Sequence, residues 1–169
     1  MTVRKATPAD LQAIKEISTS AVRFMRSTGN VNQWTGGYPD EAVIKPDTEA
    51  GHLHVCEESC EILAVFYYRF GDDPTYALIV DGEWPSDEPY GVIHRIAVSD
   101  KARGKGISRV CFDYAHSQSR NVRIDTHRDN LPMQRALEKY GFKRCGIIFL
   151  ENGDERIAFA SHRGDIAAR

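Results

Sequence analysis

A glycine-spaced basic turn between a strand and a helix is the feature that most constrains how this chain can fold. Residues 98–109 read VSDKARGKGISR. The segment before them, Tyr90–Val98, has a strand-forming composition, and an apolar face at helical spacing follows Gly106. The first N–H groups of such a helix have no internal acceptors, and its dipole adds partial positive charge there. Because glycines let a ligand approach the backbone closely, the segment predicts an anion site of the phosphate or pyrophosphate kind.

The charge distribution supports a small anionic ligand at this turn. The whole chain has 22 basic and 24 acidic residues, a net charge of −2, which disfavours general binding to DNA or another polyanion. Residues 71–90 contain six acids and no Lys or Arg, and we expect mostly loop there. Residues 91–110 contain five basic residues against one acid, a local charge of +4. The basic residues are Arg95, Lys101, Arg103, Lys105 and Arg109.

Length and composition predict one globular domain over residues 1–169. The chain is 41% hydrophobic and 27% charged, which is ordinary for a folded protein. No apolar run approaches the ~20 residues that a membrane span needs, and no signal-peptide core follows the N-terminus, so we expect a cytoplasmic protein. Its four cysteines form no CxxC pair, so we expect reduced thiols and no metal site. These cysteines are Cys56, Cys60, Cys111 and Cys145.

Helix and strand patterns predict the order β-α-α-β-β-β-α-β-α-β-β, a mixed sheet with helices packed on it. A first helix begins at Thr7-Pro8-Ala9-Asp10, where Thr is the N-cap, and runs to about Ser27. A second helix covers 40–49, a third follows Gly106, and a fourth covers 130–140 before Gly141. The predicted strands are 2–6, 53–56, 62–70, 90–98, 122–126, 143–150 and 155–160, with a short extended piece at 76–80.

Two common phosphate-binding signatures are excluded by spacing. A P-loop needs GxxxxGK[ST], and no Gly-Lys pair here is followed by Ser or Thr. A dinucleotide fingerprint needs GxGxxG, but Arg109 stands where the third glycine belongs. The alternative to an anion site is a basic, solvated helix start that binds no ligand.

The turn and three other motifs resemble one family. The hexapeptide at 103–108 is similar to the acetyl-CoA signature [QR]-x-x-G-x-[GA] of the GNAT N-acetyltransferase superfamily, with Ser108 where Gly or Ala is usual. The strand end Ile96-Ala97-Val98, the Asp129-Asn130 pair and the run EKYGF at 138–142 also resemble family patterns, in the family's order. The resemblance covers most of the chain. It implies a mixed, mostly antiparallel twisted sheet of about seven strands flanked by about four helices.

The resemblance also implies a function. The protein would be an acyltransferase that moves an acetyl group from acetyl-CoA to a primary amine of a small molecule or peptide, by direct attack in a ternary complex. A homodimer would be possible. Backbone groups of Ile96, Ala97 and Val98 would pair with the pantetheine arm, as an added strand does. The pyrophosphate would lie on Arg103, Gly104, Lys105, Gly106, Ile107, Ser108 and Arg109. Asn130 would bind the cofactor too, although a helix N-cap is its alternative role.

The family's general acid is missing from its usual place. It would be a Tyr seven residues after Asn130, but the chain has Leu137 there, which cannot donate a proton. Tyr140, about one helical turn farther along, and His127, in the preceding loop, are the candidate substitutes. The alternatives are a core aromatic at Tyr140 and an exposed loop histidine at His127.

The candidate general base is His94. Alternation along 90–98 places Val92, His94, Ile96 and Val98 on one face, where His94 is the only titratable group. The ordinary pKa of histidine, about 6.5, suits a base that activates an amine through water. A partly buried, hydrogen-bonded histidine without catalytic work is the alternative.

Large aromatics beside glycines predict an acceptor pocket. Trp34 and Tyr38 lie between the first two helices, and Tyr67 and Tyr68 could complete the wall, although a packed loop is the alternative. The missing tyrosine keeps open a second function, a non-catalytic acyl-CoA-binding module. A phosphate- or nucleic-acid-binding protein is a third, disfavoured by the acidic residues near the turn.

Overall fold

The computed structural model describes residues 1–166 and shows seven strands and five α-helices within them. The strands are β1 (Thr2–Lys5), β2 (Leu53–Glu58), β3 (Glu61–Phe70), β4 (Tyr90–Val98), β5 (Asn121–Thr126), β6 (Lys143–Phe149) and β7 (Glu155–His162). The helices are α1 (Leu11–Ser27), α2 (Glu41–Glu49), α3 (Ile107–Gln118), α4 (Leu131–Tyr140) and α5 (Arg163–Ile166).

The mixed α/β class with a mostly antiparallel seven-stranded sheet is confirmed. A fifth helix, the short α5, was not predicted. The extended piece predicted at 76–80 is wrong: a 3₁₀ turn covers Pro74–Tyr76, and only Val80 makes a strand-like bridge, to Ile147. The predicted strand at 2–6 ends one residue earlier, at Lys5.

The chain divides into two compact units, and the first comprises Met1–Tyr68 and His94–Tyr114. Its strands lie in the order β1-β2-β3-β4, with antiparallel pairing from β1 to β3. The core of this unit packs α1 and α2 on one face of the strands. Its buried members are Ala6, Ile14, Ile17, Ala21, Ile44, Leu53, Val55, Val65 and Ala97.

Thr7 is confirmed as an N-cap, but the helix that it caps is a 3₁₀ turn, Pro8–Asp10, and α1 itself begins at Leu11. An ion pair reinforces this start. The backbone N–H of Thr7 donates to Asp10 Oδ2 over 2.7 Å, as in a capping box. Arg4 donates to both carboxylate oxygens of Asp10, over 2.8 and 2.9 Å. The Arg4 guanidinium holds the pKa of this buried carboxyl far below its usual range. Strand β1 is thereby tied to the first turn ahead of α1.

The second unit comprises Arg69–Ile93 and the chain from Ala115 onward. Its strand order is β4-β5-β7-β6, and the β4–β5 pair is parallel while the others are antiparallel. Strand β4 runs through both units. The second core consists of Tyr76, Tyr90, Val92, Ile148 and Ala158.

The acidic stretch 71–90 is anchored rather than simply solvated. Arg123 of β5, only 7% exposed, lies over the rings of Tyr90 (3.8 Å) and Trp84 (4.2 Å) and donates to the Ser86 carbonyl over 2.7 Å. Burial lowers the pKa of this guanidinium. The hydroxyl of Tyr76 donates to Asp125 over 2.8 Å. One buried cation and a tyrosine therefore hold a segment rich in carboxylates against the strands.

The single domain over residues 1–169 stays a prediction, and its last three residues lie outside the described part. No helix within residues 1–166 is long and apolar enough to cross a membrane. The same residues contain no group of three or more His, Cys, Asp or Glu side chains that could hold a metal ion. Cys56 and Cys111 are buried with their Sγ atoms 3.7 Å apart, as two free thiols.

Candidate functional site

Only the first part of strand β4 pairs with β5. Its pairing with β5 runs from Tyr90↔Asn121 to Ile93↔Ile124, but β4 itself continues to Val98. Arg95, just beyond the last pair, has a φ of 53°, a left-handed value that is rare within a strand. The regular alternation predicted for Val92, His94, Ile96 and Val98 is therefore wrong beyond His94. Backbone groups of Ile96–Val98 lie past the last recorded β4–β5 pair, where an extended ligand could meet them.

The turn after β4 has the open backbone that an anion site requires. Gly104 and Gly106 have φ values of 79° and 77°, which favour glycine, and a Cβ at either position would meet no atom within 4 Å. The chain then enters α3 at Ile107, as predicted. The helix start and the open side of the turn fit a pyrophosphate group.

The positive charge near this turn is mostly partnered. Lys101 pairs with Glu61, Arg103 with Asp100, Arg95 with Asp47, and Arg109 with Asp113 over 3.7 Å. Lys105 is exposed, and no ion pair is recorded for it within residues 1–166. The local charge of +4 is therefore largely offset by carboxylates from outside residues 91–110, namely Asp47, Glu61 and Asp113. Exposed pairs such as Lys101 and Glu61 contribute little to stability, so a phosphate could replace the carboxylate at small cost.

Arg103 packs on α1. Its Cζ lies 4.2 Å from the ring centre of Phe24, and its Nη2 donates to Ser20 Oγ over 3.2 Å and to the Val98 carbonyl over 3.3 Å. This guanidinium thus ties the end of β4 and the turn to α1. Its predicted role toward the cofactor stays a prediction.

A second cluster surrounds the ring of Tyr67 on β3. The ring of His94 lies 5.7 Å from it, and the guanidinium Cζ of Arg95 lies 4.7 Å from its centre. Arg95 donates to Asp47 of α2 and, over 3.2 Å, to the hydroxyl of Tyr38. We call Tyr38, Asp47, Tyr67, His94 and Arg95 the Arg95 cluster. It places the candidate base beside two of the predicted acceptor residues.

Trp34 joins this cluster through Tyr38, because the two rings meet edge to face at 6.1 Å. The loop that carries Trp34 is held by Arg26 of α1. Its guanidinium donates to the carbonyls of Asn30 (2.7 Å), Gln33 (2.8 Å) and Trp34 (2.9 Å). The loop is therefore fixed by three hydrogen bonds to one side chain.

Tyr68 was predicted to share the acceptor wall, and the structure places it elsewhere. It is buried among His54 and Tyr114, with ring centres 6.2 and 5.8 Å away. No hydrogen-bond partner is recorded for its hydroxyl within residues 1–166, and burial raises the pKa of Tyr68 to about 12. Neighbouring residues of a strand face opposite sides, so Tyr67 and Tyr68 could not both face one pocket.

The second unit holds the candidate acids. His127 is not an exposed loop histidine, because only 13% of its side chain is accessible. Its Nδ1 accepts the Asp129 N–H over 3.1 Å, and burial lowers its pKa, so the imidazole is neutral near pH 7. The Tyr140 ring stacks 6.0 Å from His116 and lies 5.7 Å from Phe142. Leu137 is completely buried.

Asn130 is confirmed as the N-cap of α4, since its Oδ1 accepts the backbone N–H of Met133 over 3.2 Å. Its binding of a cofactor stays a prediction. The loop before it is also fixed by Gln134, whose Nε2 donates to the carbonyls of His127 (3.1 Å) and Arg128 (2.7 Å).

Sequence reasoning missed Arg95 and Asp47 as parts of the site. Arg95 counted only as one charge of the basic stretch, and Asp47 as an ordinary residue of a short helix. One signal was present: a charged residue inside the otherwise apolar segment 90–98, next to the candidate base. A charge inside a strand needs a partner, which here comes from a helix 48 positions earlier.

Comparisons with known proteins identify the family and the fold. The model of the acetyltransferase (GNAT) family matches residues 16–142. A search of curated protein sequences found no match. Among solved structures, a GNAT-family acetyltransferase from Streptococcus agalactiae 2603 is 29% identical, with a TM-score of 0.87 over 95% of this chain and 94% of that one.

Two other solved structures show the same fold at lower identity. A GNAT-family acetyltransferase from Listeria monocytogenes 4b F2365 is 20% identical, with a TM-score of 0.70 over 95% of this chain and 94% of that one. A ribosomal-protein-alanine N-acetyltransferase from Brucella melitensis is 17% identical, with a TM-score of 0.62 over 96% and 99%.

Proposed function

Because the chain belongs to the acetyltransferase (GNAT) family, we propose that it transfers the acetyl group of acetyl-CoA to a primary amine of a small molecule or peptide. The amine attacks directly while both substrates are bound. One observation carries the proposal: a single compact unit contains both an open glycine turn at a helix start and a histidine, His94, beside the ring of Tyr67. A cytoplasmic location and a homodimer remain predictions from the sequence.

The turn and the end of β4 would hold the cofactor. N–H groups of the segment 104–109 would donate to the pyrophosphate, while Arg103 keeps the turn against α1. Backbone groups of Ile96–Val98 would pair with the pantetheine arm. Asn130 would contribute from the start of α4. Bound acetyl-CoA supplies a thioester carbonyl, which is the acyl donor.

His94 would act on the acceptor. An amine is protonated near neutral pH, and only the neutral form has the lone pair needed for attack. The imidazole of His94 would take this proton through a water molecule. The ring of Tyr67 lies 5.7 Å from this imidazole, with the two ring planes tilted by 40°.

The leaving thiolate has two candidate proton donors, Tyr140 and His127. Because burial lowers the pKa of His127, only a small protonated fraction of it can donate near pH 7. Neither is required for the thiolate to leave, because a thiol has a pKa of about 8.5 and its thiolate is a stable leaving group. Buried Leu137 favours such a reaction without a dedicated acid. The same residue favours the second candidate function, a module that binds acyl-CoA without transferring the acyl group.

Two measurements test the proposal. Calorimetry should detect binding of CoA, and free thiol should appear when the protein, acetyl-CoA and a panel of amines are mixed. Binding of CoA without thiol release from any amine would indicate the non-catalytic module. No binding of CoA would contradict both functions.

Replacing His94 tests its role as base. We expect His94→Ala to lower kcat about 100-fold near pH 7, in line with the usual contribution of a general base. The loss should shrink as the pH rises, because the amine then deprotonates without help. His162→Ala is the matched control. Full kcat in His94→Ala across the pH range would contradict the assignment.

A further inference from the structure

We propose that Arg95 binds a carboxylate on the acceptor, so that the acceptors are small molecules carrying both an amine and a carboxylate, as amino acids do. The inference rests on the proposed function and adds a substrate class to it. Nothing in the family match or the structural comparisons assigns a role to this residue.

The side chains of His94 and Arg95 lie beside the same aromatic ring. In a regular strand, His94 and Arg95 would point to opposite faces. The left-handed backbone at Arg95 changes this, and both side chains lie against the ring of Tyr67. A left-handed residue inside a strand turns its side chain away from the regular alternation, and a non-glycine residue with positive φ costs of order 1–3 kcal/mol. The backbone strain thus places a guanidinium within reach of any small molecule whose amine is bound at His94.

Arg95 has more hydrogen-bond donors than its two acceptors use. A guanidinium has five N–H donors in a rigid plane. Two acceptors are recorded for Arg95 within the described chain, the hydroxyl of Tyr38 and one carboxylate oxygen of Asp47. Donors therefore remain for a planar oxyanion, which is the group that guanidinium binds best.

Arg95 and its partner Asp47 are partly exposed. The side chains of Arg95 and Asp47 are 17% and 18% exposed, so a ligand can reach them while most water is excluded. Asp47 and the face of Tyr67 fix the orientation of the guanidinium before any ligand arrives.

The same contacts disfavour a purely cationic acceptor such as a diamine. The place beside Asp47 and over the ring of Tyr67 would suit an ammonium group, but Arg95 already occupies it. The N–H groups of Arg95 that remain unpaired are hydrogen-bond donors, so a ligand bound here must supply an acceptor atom.

The test compares amino acids with their primary amides, which have nearly the same shape without the negative charge. Thiol release from acetyl-CoA gives kcat/KM for each member of a pair. We expect wild-type protein to prefer the acid at least 10-fold, and Arg95→Gln to reduce the acid-to-amide ratio about 10- to 100-fold. Arg120→Gln, a change at an exposed arginine, should leave the ratio unchanged.

Arg95→Lys is the second variant. It keeps a cation beside Asp47 but lacks the planar fork, so we expect an intermediate ratio. If a thermal melt shows that Arg95→Gln does not fold, Arg95→Lys replaces it in the comparison with wild-type protein. An unchanged acid-to-amide ratio in the variants, or equal losses for acids and amides, would overturn the proposal.

Failure of the proposed function gives a different result. If no amine releases thiol, calorimetric titration of the amino acids into CoA-saturated wild-type and Arg95→Gln protein still tests the site. Binding that Arg95→Gln abolishes supports the carboxylate site without acetyl transfer. No binding to wild-type protein refutes it.

Discussion

Two arginines of this protein lie over tyrosine rings in strands and are used differently. Arg123 is 7% exposed, lies between the rings of Tyr90 and Trp84, and donates to a backbone carbonyl. Arg95 is more accessible, has a carboxylate partner, and sits on a left-handed backbone. Burial and aromatic stacking make Arg123 a structural residue that fixes the acidic stretch. Accessibility and remaining donors make Arg95 a candidate ligand-binding residue.

The largest expected effect tests the structural side of this comparison. Arg123→Ala should lower the free energy of unfolding by about 3 kcal/mol, because it removes two ring contacts and a buried hydrogen bond and leaves a cavity. Urea denaturation measures this, with Arg120→Ala as the control. A loss below about 1 kcal/mol would show that the acidic stretch is held without Arg123.

The next largest effect concerns Tyr76, which together with Arg123 holds the acidic stretch 71–90. Burial and the neighbouring Asp125 raise the pKa of Tyr76 well above its ordinary value. Tyr76→Phe should cost about 1–2 kcal/mol at pH 7, because Asp125 loses a donor. A raised pKa means that the folded protein holds this proton more tightly than the unfolded chain. Wild-type stability should therefore decline above about pH 10, and less steeply in Tyr76→Phe.

Tyr68→Phe is the matched comparison for Tyr76→Phe. The pKa of Tyr68 is also raised, to about 12, but no partner is recorded for its hydroxyl in the described residues. Its replacement should flatten the alkaline decline without lowering stability at pH 7. Denaturant titrations at pH 7, 10 and 11 measure both variants. Equal losses at pH 7 would contradict the distinction between a hydrogen-bonded and an unpartnered buried tyrosine.

The smallest effect tests the strained backbone at Arg95. Arg95→Gly and Arg95→Ala both remove the guanidinium, but only glycine adopts a positive φ without cost. Arg95→Gly should therefore be about 1 kcal/mol more stable than Arg95→Ala. Both should lose the preference for acids over amides. Equal stabilities would mean that the backbone relaxes once the side chain is gone.

Much of the fold could be predicted because local signals agree with tertiary structure. Strand β4 has the predicted bounds, and the Thr7 capping box and the Asn130 N-cap each follow from residues within one turn. The 3₁₀ turn at Pro74–Tyr76 has a local signal, because Asp73 accepts the Thr75 N–H over 3.0 Å and a proline follows it, whereas the hydrogen bond from Tyr76 to Asp125 is non-local. The alternation of polar and apolar residues carries no information about such distant contacts.

The candidate site also has one part that could be predicted from the sequence and one part that could not. The glycine turn and His94 could be found from residue type and spacing. The left-handed backbone at Arg95 could not be predicted, because the alternation of side chains assumes a regular strand. The side chain of Arg95 is held by Asp47 and Tyr38, which are distant in the sequence. The paired charges around the turn were also hidden, since partners such as Glu61 come from other strands and helices.

The three hydrogen bonds from Arg26 to the loop of Trp34 have a consequence for acceptor binding. Ordering a loop costs roughly 1–2 kcal/mol per residue in conformational entropy. Here the ordering takes place when the unit folds. An acceptor that meets Trp34 and Tyr38 therefore loses mainly its own freedom of motion, and its affinity reports its fit to the site rather than the work of closing a loop.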